Sequence, residues 1–364
     1  MISCLEVISS LQMVGGSESF SLNFSRFISE KSSLTVVVLY EKGNQALEEK
    51  LDSIKNIKIF RLNKQKHIDV KTIIQLRQII KKTKFDFIHS ENNCLITLYF
   101  ALRPLKRKPI VLHTLHLPGP KECPTKIKKY LYKKIFHSLH FYPIALSDSL
   151  AIEAQSFYGL TKIDSIPNGV DIEQFSSHTL LKDRPNDVTI MARLTPQKNY
   201  PFVLRIFEEL TKIEPAINCF IYGQGEQESE IKETIKTKSL ENVHFMGTTS
   251  TPEKIMGLTK IFLLGSSYEA NPMSINEAMA SGCVVISSAV DGVPEIVNDK
   301  KDGFLFTLDS PLPFAKKIVE IYRNPSSFQY IADEARKTAQ SRSFDKVVDS
   351  YVSVYQSKML KDCE

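Results

Sequence analysis

The chain contains no run approaching the ~18 to 20 apolar residues that a membrane-spanning helix requires, and its longest β-type runs, such as Leu34–Tyr40, are only strand length. The N-terminus has no basic region followed by an apolar one, so no secretory signal is read there. Cys4, Cys94, Cys123, Cys219, Cys283 and Cys363 are scattered, with no Cys-x-x-Cys pair or zinc-type grouping. Reduced thiols account for that pattern more simply than a disulfide framework or a zinc site. Internal repeats and low-complexity tracts are also missing. These absences lead to the expectation of a soluble, cytoplasmic protein.

What is present is ordinary for a globular chain: 42% hydrophobic and 24% charged residues exclude a disordered or collagen-like protein. A length of 364 residues exceeds the usual size of one hydrophobic core, so two domains are expected. The net charge of +6 is carried by the first half, where lysine and arginine outnumber the acidic residues, whereas the second half is slightly acidic. Such an excess suits a membrane surface, a phosphorylated acceptor or nucleic acid, and equally a merely solvated lysine-rich surface. No nucleic-acid reader motif accompanies it, so nucleic acid is not an expected partner.

Strand-like and helix-like segments alternate from end to end, which predicts an α/β architecture of two doubly wound, Rossmann-like domains with parallel sheets. Leu34–Tyr40, 57–61, 85–89, 110–113 and 144–147 read as strands in the first half, and 189–192, 219–222, 243–245, 261–264 and 284–287 in the second. Asp69 is placed to cap a helix whose Val70, Ile73, Ile74, Arg77 and Ile80 follow helical spacing. Pro167-Asn-Gly169 and the polar stretch 176–186 interrupt the alternation. We therefore expect domains over 1–165 and 166–345, with 346–364 a final helix. Ligands of such sheets bind outside the carboxyl ends of the strands, in the cleft between the domains.

The most informative stretch is Glu269-Ala-Asn-Pro-Met-Ser-Ile-Asn-Glu277, a loop turning into a helix between two apolar strands. Asn271 can cap, Pro272 suits the first helical position, and Gly282 marks the end. The backbone N–H groups between Asn271 and Ser274, Met273 included, would point outward as an anion site, with Glu269 and Glu277 beside it for ligand hydroxyls. Two glutamates eight apart are common on an exposed helix face; the surrounding order of motifs gives these their interest. Gly15-Gly16-Ser-Glu18, Ile166-Pro-Asn-Gly-Val-Asp171, Ala192-Arg193-Leu-Thr-Pro-Gln-Lys198-Asn199, Ile221-Tyr-Gly-Gln-Gly-Glu226 and Phe245-Met-Gly247 precede it in turn.

In that order these segments resemble the family-4 retaining glycosyltransferases (group 1 glycosyltransferases), which have the two-domain GT-B fold. The resemblance implies a domain for the acceptor and a second for a nucleotide-sugar donor, facing across a cleft, with the final helix 346–364 crossing back to the first domain. It implies that Arg193 and Lys198 hold the diphosphate and that Glu277 binds the ribose. Glu269 would reach the transferred sugar, Met246 and Gly247 would lie at the nucleobase, and Gly15 and Gly16 would let backbone approach the diphosphate. His116 matches a histidine that touches the donor sugar, whereas His113 reads as a strand residue. His89, Ser90 and Glu91 are placed on the acceptor side. The nucleotide sugar is a substrate, UDP-linked by family base rate, and no cofactor is implied.

Growing charge on the leaving diphosphate must be stabilised by a metal or by fixed cations and dipoles. An Asp-x-Asp motif is lacking, and Arg193, Lys198 and the helix start at Pro272 could supply that field, so no metal is expected. A lone Arg-x4-Lys is otherwise more often surface charge. Asn271-Pro-Met departs from the commoner loop after the first glutamate, and Met191-Ala192 stands where glycine is frequent. A non-catalytic GT-B subunit stabilising an active partner is the alternative reading. The acceptor is expected to be a glycan or lipid-linked molecule of surface polysaccharide synthesis. Lys126-Ile-Lys-Lys-Tyr-Leu-Tyr-Lys-Lys134 has apolar residues at helical spacing among its lysines. It reads either as an anchor on an anionic membrane, making the protein peripheral on the inner face, or as a solvated helix packed on the first sheet.

Overall fold

The computed structural model describes residues 2–12, 15–40, 43–65, 69–138 and 140–361. Cys363 lies outside them; the other five cysteines are free and buried. The chain forms two compact units, Met1–Asn168 with Phe344–Glu364, and Gly169–Ser343.

The strands of the first unit are β1 (Ile2–Ile8), β2 (Ser32–Tyr40), β3 (Lys58–Lys64), β4 (Phe87–Glu91), β5 (Ile110–Leu115), β6 (Phe141–Ala145) and β7 (Asp164–Ser165). They form one parallel sheet in the order β3-β2-β1-β4-β5-β6-β7. Helices cover both faces of such a sheet, so its inner strands are apolar along most of their length. β1 was not among the strands read from the sequence, because Ser3 and Glu6 interrupt its apolar run. It is nonetheless an inner strand, with Cys4, Leu5, Glu6 and Val7 all fully buried. Asp69 caps the helix Val70–Lys82 by accepting from the N–H groups of Lys71 and Thr72.

The last helix, Phe344–Lys361, belongs to this unit. Its Phe344 ring packs 5.8 Å from Phe20 and 5.6 Å from Phe27. Further along, the Tyr351 hydroxyl lies 2.7 Å from Thr114 Oγ1 in the sheet, and Lys358 Nζ is 2.6 Å from Asp164. Burying two aromatic rings of this size contributes roughly 2–3 kcal/mol each.

The second unit contains β8 (Asn186–Met191), β9 (Cys219–Tyr222), β10 (Val243–Gly247), β11 (Thr259–Leu264), β12 (Val284–Ser288) and β13 (Phe304–Phe306). These are also parallel, in the order β10-β9-β8-β11-β12-β13. Alternation along β11 sends Ile261 and Leu263 to one core and Phe262 and Leu264 to the other, where they meet Ile275 and Met279. The polar stretch 176–186 is anchored by Arg184, which is 1% exposed. Its guanidinium donates to the carbonyls of Thr179, Thr259 and Ser281 at 2.7 to 3.1 Å.

Candidate active site

Because every strand of the second unit runs the same way, the turns after β8, β9, β10 and β11 gather at one edge of its sheet. The first two are stacked backbone to backbone. Ala192 N–H donates to Tyr222 O at 3.1 Å, Leu194 N–H to Gln224 O at 2.9 Å, and Gln227 N–H to Leu194 O at 3.1 Å. A Cβ on Gly223 would stand 2.0 Å from Ala192 O, so only glycine allows this approach. The turn after β8 closes with Lys198 N–H on Thr195 O at 2.9 Å. Asn199 then takes a left-handed conformation and opens the helix Tyr200–Ile213.

That geometry turns Lys198 inward toward the loop after β11. Its ammonium pairs directly with Glu269 Oε1, and the two residues are 9% and 5% exposed. Ser266 Oγ donates to the same oxygen at 2.7 Å, while Gln197 Nε2 reaches Oε2 at 3.3 Å. The main chain is held as firmly: Ser267 N–H donates to Gln197 O at 2.9 Å, Glu269 N–H to Asp291 Oδ2 at 3.0 Å, and Gly292 N–H to Glu269 O at 3.0 Å. A buried carboxylate with this many donors is a fixed acceptor rather than a mobile surface charge. Gln197, Ser266 and Asp291 were not read from the sequence; only the fold brings them to Glu269.

Arg193 is exposed, and among the described residues its guanidinium has no hydrogen bond or ion pair. Glu277 is half-buried in the helix Met273–Ala280, one turn in from its start. The capping expectation needs correction. Pro272, not Asn271, occupies the cap, and no side chain bonds the helix start. Asn271 instead accepts from Asn276 Nδ2 at 3.1 Å, which fixes the loop. Pro272 has no N–H, so the first-turn donors are those of Met273 and Ser274. At the end of β10, Met246 is 47% exposed and Gly247 has φ +71°. No atom lies within 4 Å of the place where a Gly247 side chain would stand.

The carboxyl edge of the first sheet carries the remaining expected residues. Gly15 stands at the start of the helix Gly16–Lys31, and a side chain on Gly16 would meet nothing within 4 Å. Packing therefore does not explain that glycine. His116 follows β5, with Nε2 2.5 Å from Glu91 Oε2. His113 is a buried strand residue, as read, with Nδ1 2.9 Å from Ser90 Oγ. Placing His89, Ser90 and Glu91 on an acceptor surface is not supported: they are 0%, 0% and 1% exposed, because β4 is an inner strand covered on both faces. Beneath them Glu6 receives a hydrogen bond from Ser25, and burial pushes its carboxyl up to about 8. Burial also pushes His89 down to about 4, so both are neutral at pH 7.

The lysine-rich segment is the helix Lys126–Phe136, capped by Thr125. Tyr132, Ile135 and Phe136 pack into the unit, whereas Ile127 and Tyr130 are 74% and 65% exposed. Lys128 is turned back onto Glu122 O at 2.6 Å, and Lys129 lies over the Phe157 ring at 3.8 Å. Lys126, Lys133 and Lys134 are the exposed cations. Among the described residues no helix is long and apolar enough to cross a membrane, and no group of three His, Cys, Asp or Glu could hold a metal ion.

Two parallel Rossmann-like units, with a basic turn against a buried glutamate in the second, define a protein of the GT-B class. Glycosyl transferases group 1 match residues 171–338, and Glycosyltransferase Family 4 matches residues 14–174. The chain belongs to this glycosyltransferase family. It is 24% identical to the Escherichia coli UDP-Gal:alpha-D-GlcNAc-diphosphoundecaprenol alpha-1,3-galactosyltransferase, over 80% of this chain and 81% of that one. Identity to the Staphylococcus aureus (strain COL) poly(ribitol-phosphate) alpha-N-acetylglucosaminyltransferase is 25%, over 59% of this chain and 43% of the relative. Among solved structures, Anabaena HepE in complex with UDP-glucose superposes with a TM-score of 0.81 at 19% identity, covering 98% of this chain and all of that one.

Proposed function

We propose that this protein transfers a sugar, with retention of anomeric configuration, from a UDP-sugar to a glycan or lipid-linked acceptor in surface polysaccharide synthesis. The observation that carries this reading is the buried Lys198–Glu269 pair on the same turn as an Arg193 that has no partner among the described residues. Lys198 spends one of its three donors on Glu269, leaving two for diphosphate oxygens. Arg193 adds a planar fork suited to the same oxygens. The start of the helix Met273–Ala280 contributes the positive end of its dipole. Glu277 is assigned to the ribose hydroxyls and Glu269 to hydroxyls of the sugar.

From the first unit, the same reading assigns Gly15 and Gly16 to the diphosphate and His116 to the transferred sugar. Reaction proceeds by same-face substitution, in which the C1–O bond to the diphosphate breaks as the acceptor oxygen bonds to C1. The acceptor proton passes to the departing diphosphate. Fixed cations stabilise the charge on that diphosphate, so no metal is needed. The name of the E. coli relative gives UDP-Gal and a diphosphoundecaprenol-linked acceptor, which supports the UDP donor and a lipid-linked acceptor, and that of the S. aureus relative gives a poly(ribitol-phosphate) acceptor.

Exposed Ile127 and Tyr130 among Lys126, Lys133 and Lys134 support peripheral attachment to an anionic bilayer at the cytoplasmic face. The deciding experiment for the function is a screen of UDP-sugars by thermal shift, followed by NMR of the product formed on a lipid-linked diphosphate acceptor. An α-linked donor giving a β-linked product would overturn retention. Stabilisation by no nucleotide sugar would overturn the donor assignment.

A further inference from the structure

The register of the first sheet pairs Glu91 at the end of β4 with Thr114 in β5, which brings His116, two residues further on, beside Glu91. Glu91 is wholly interior and uses both oxygens: Ser21 donates to Oε1, and His116 Nε2 lies 2.5 Å from Oε2. The His116 side chain keeps 13% exposure, and Nδ1 has no partner among the described residues. Phe20 covers the ring at 6.0 Å, edge to face. A carboxylate can only accept, so it fixes the Nε2 hydrogen toward itself.

We propose that Glu91 is a positioning residue that holds His116 as a cation donating from both ring nitrogens, its free Nδ1–H directed to an oxygen of the transferred sugar. His116 therefore does not act as a base on the acceptor. This rests on the reading that places His116 against the donor sugar. Burial by itself would push the imidazolium down. The bond and charge of Glu91, with Glu122 and Glu18 further off, outweigh it and raise His116 above its ordinary range. The other groups facing it are His89, held neutral near pH 7, and His113, which burial keeps well below its ordinary value. Glu91 is itself raised by burial, offset in part by His116.

The test uses the full chain, with the His116 titration followed by NMR and the pH profile of kcat/KM measured with whichever UDP-sugar gives turnover. A group raised in the folded state keeps its charge below that raised value and loses it as pH rises through it. Activity should accordingly fall on the alkaline side. Glu91→Gln should lower the His116 titration and the alkaline limb together, a loss of up to roughly tenfold on the alkaline side with little change on the acid side. Glu91→Asp should restore much of the limb. Ser21→Ala, which leaves the carboxylate in place, should leave His116 raised.

An unchanged His116 titration in Glu91→Gln overturns the pairing, and activity that rises with pH through the His116 range overturns the donor role. A lowered titration with an unmoved activity profile leaves the pair standing and overturns instead the placement of His116 on the sugar.

Discussion

Replacing Lys198 with methionine is expected to destabilise the second unit and to slow transfer, and the two effects can be separated. Lys198 and Glu269 are both almost fully buried, so deleting the cation leaves a carboxylate in a dry site. Breaking a buried pair from one side costs about 3–5 kcal/mol. Ser266 and Gln197 still donate to that carboxylate, which favours the lower end, roughly 3 kcal/mol. At roughly 2–4 °C per kcal/mol for a unit of this size, the melting temperature should fall by on the order of 6–12 °C in scanning calorimetry.

Glu269→Gln added to Lys198→Met removes the unpaired charge, and most of that loss should return. Transfer should not return, because the cation proposed to face the diphosphate is still missing; loss of one preorganised donor costs roughly 3 kcal/mol, or about a hundredfold or more in kcat. Equal melting temperatures for the single and double variants would refute the buried pair. Unchanged turnover in Lys198→Met would refute the role of its charge.

Other expectations follow from the same geometry. Glu277→Gln should weaken binding of UDP alone by isothermal calorimetry, whereas Glu269→Gln should leave UDP affinity nearly unchanged and impair turnover; equal losses would contradict the division. Gly223→Ala should drive the turn after β9 off Ala192 O, costing about 1–3 kcal/mol, and a wild-type melting temperature would show that the two turns do not stack as described. Activity should survive EDTA; its abolition, with restoration by magnesium or manganese, would overturn the fixed-cation argument. Lys126, Lys133 and Lys134 changed together to serine should reduce sedimentation with anionic liposomes at low salt by roughly 1 kcal/mol per lysine. Binding that persists unchanged would remove the membrane role.

Periodicity alone determined much of this protein. Alternating apolar strands and amphipathic helices specify parallel α/β units, and most strands lie within a few residues of where the sequence predicts them. Asp69 and the final helix Phe344–Lys361 were legible for the same reason, each being a local signal of spacing or capping, whereas the glycosyltransferase motifs were legible only through their resemblance to a known family. β1 was not, because a buried glutamate breaks the apolar pattern and only Ser25 and the surrounding sheet make its burial possible.

At the site, the sequence supplied Arg193, Lys198, Glu269 and Glu277 as charged residues in family order, but not their partners. That Lys198 meets Glu269 and that Glu91 turns inward to His116 are contacts between turns far apart in the chain. Such contacts depend on the register of parallel strands, which sends side chains from separate turns to one sheet edge. No spacing within a single segment encodes that register, so only the tertiary structure decided them.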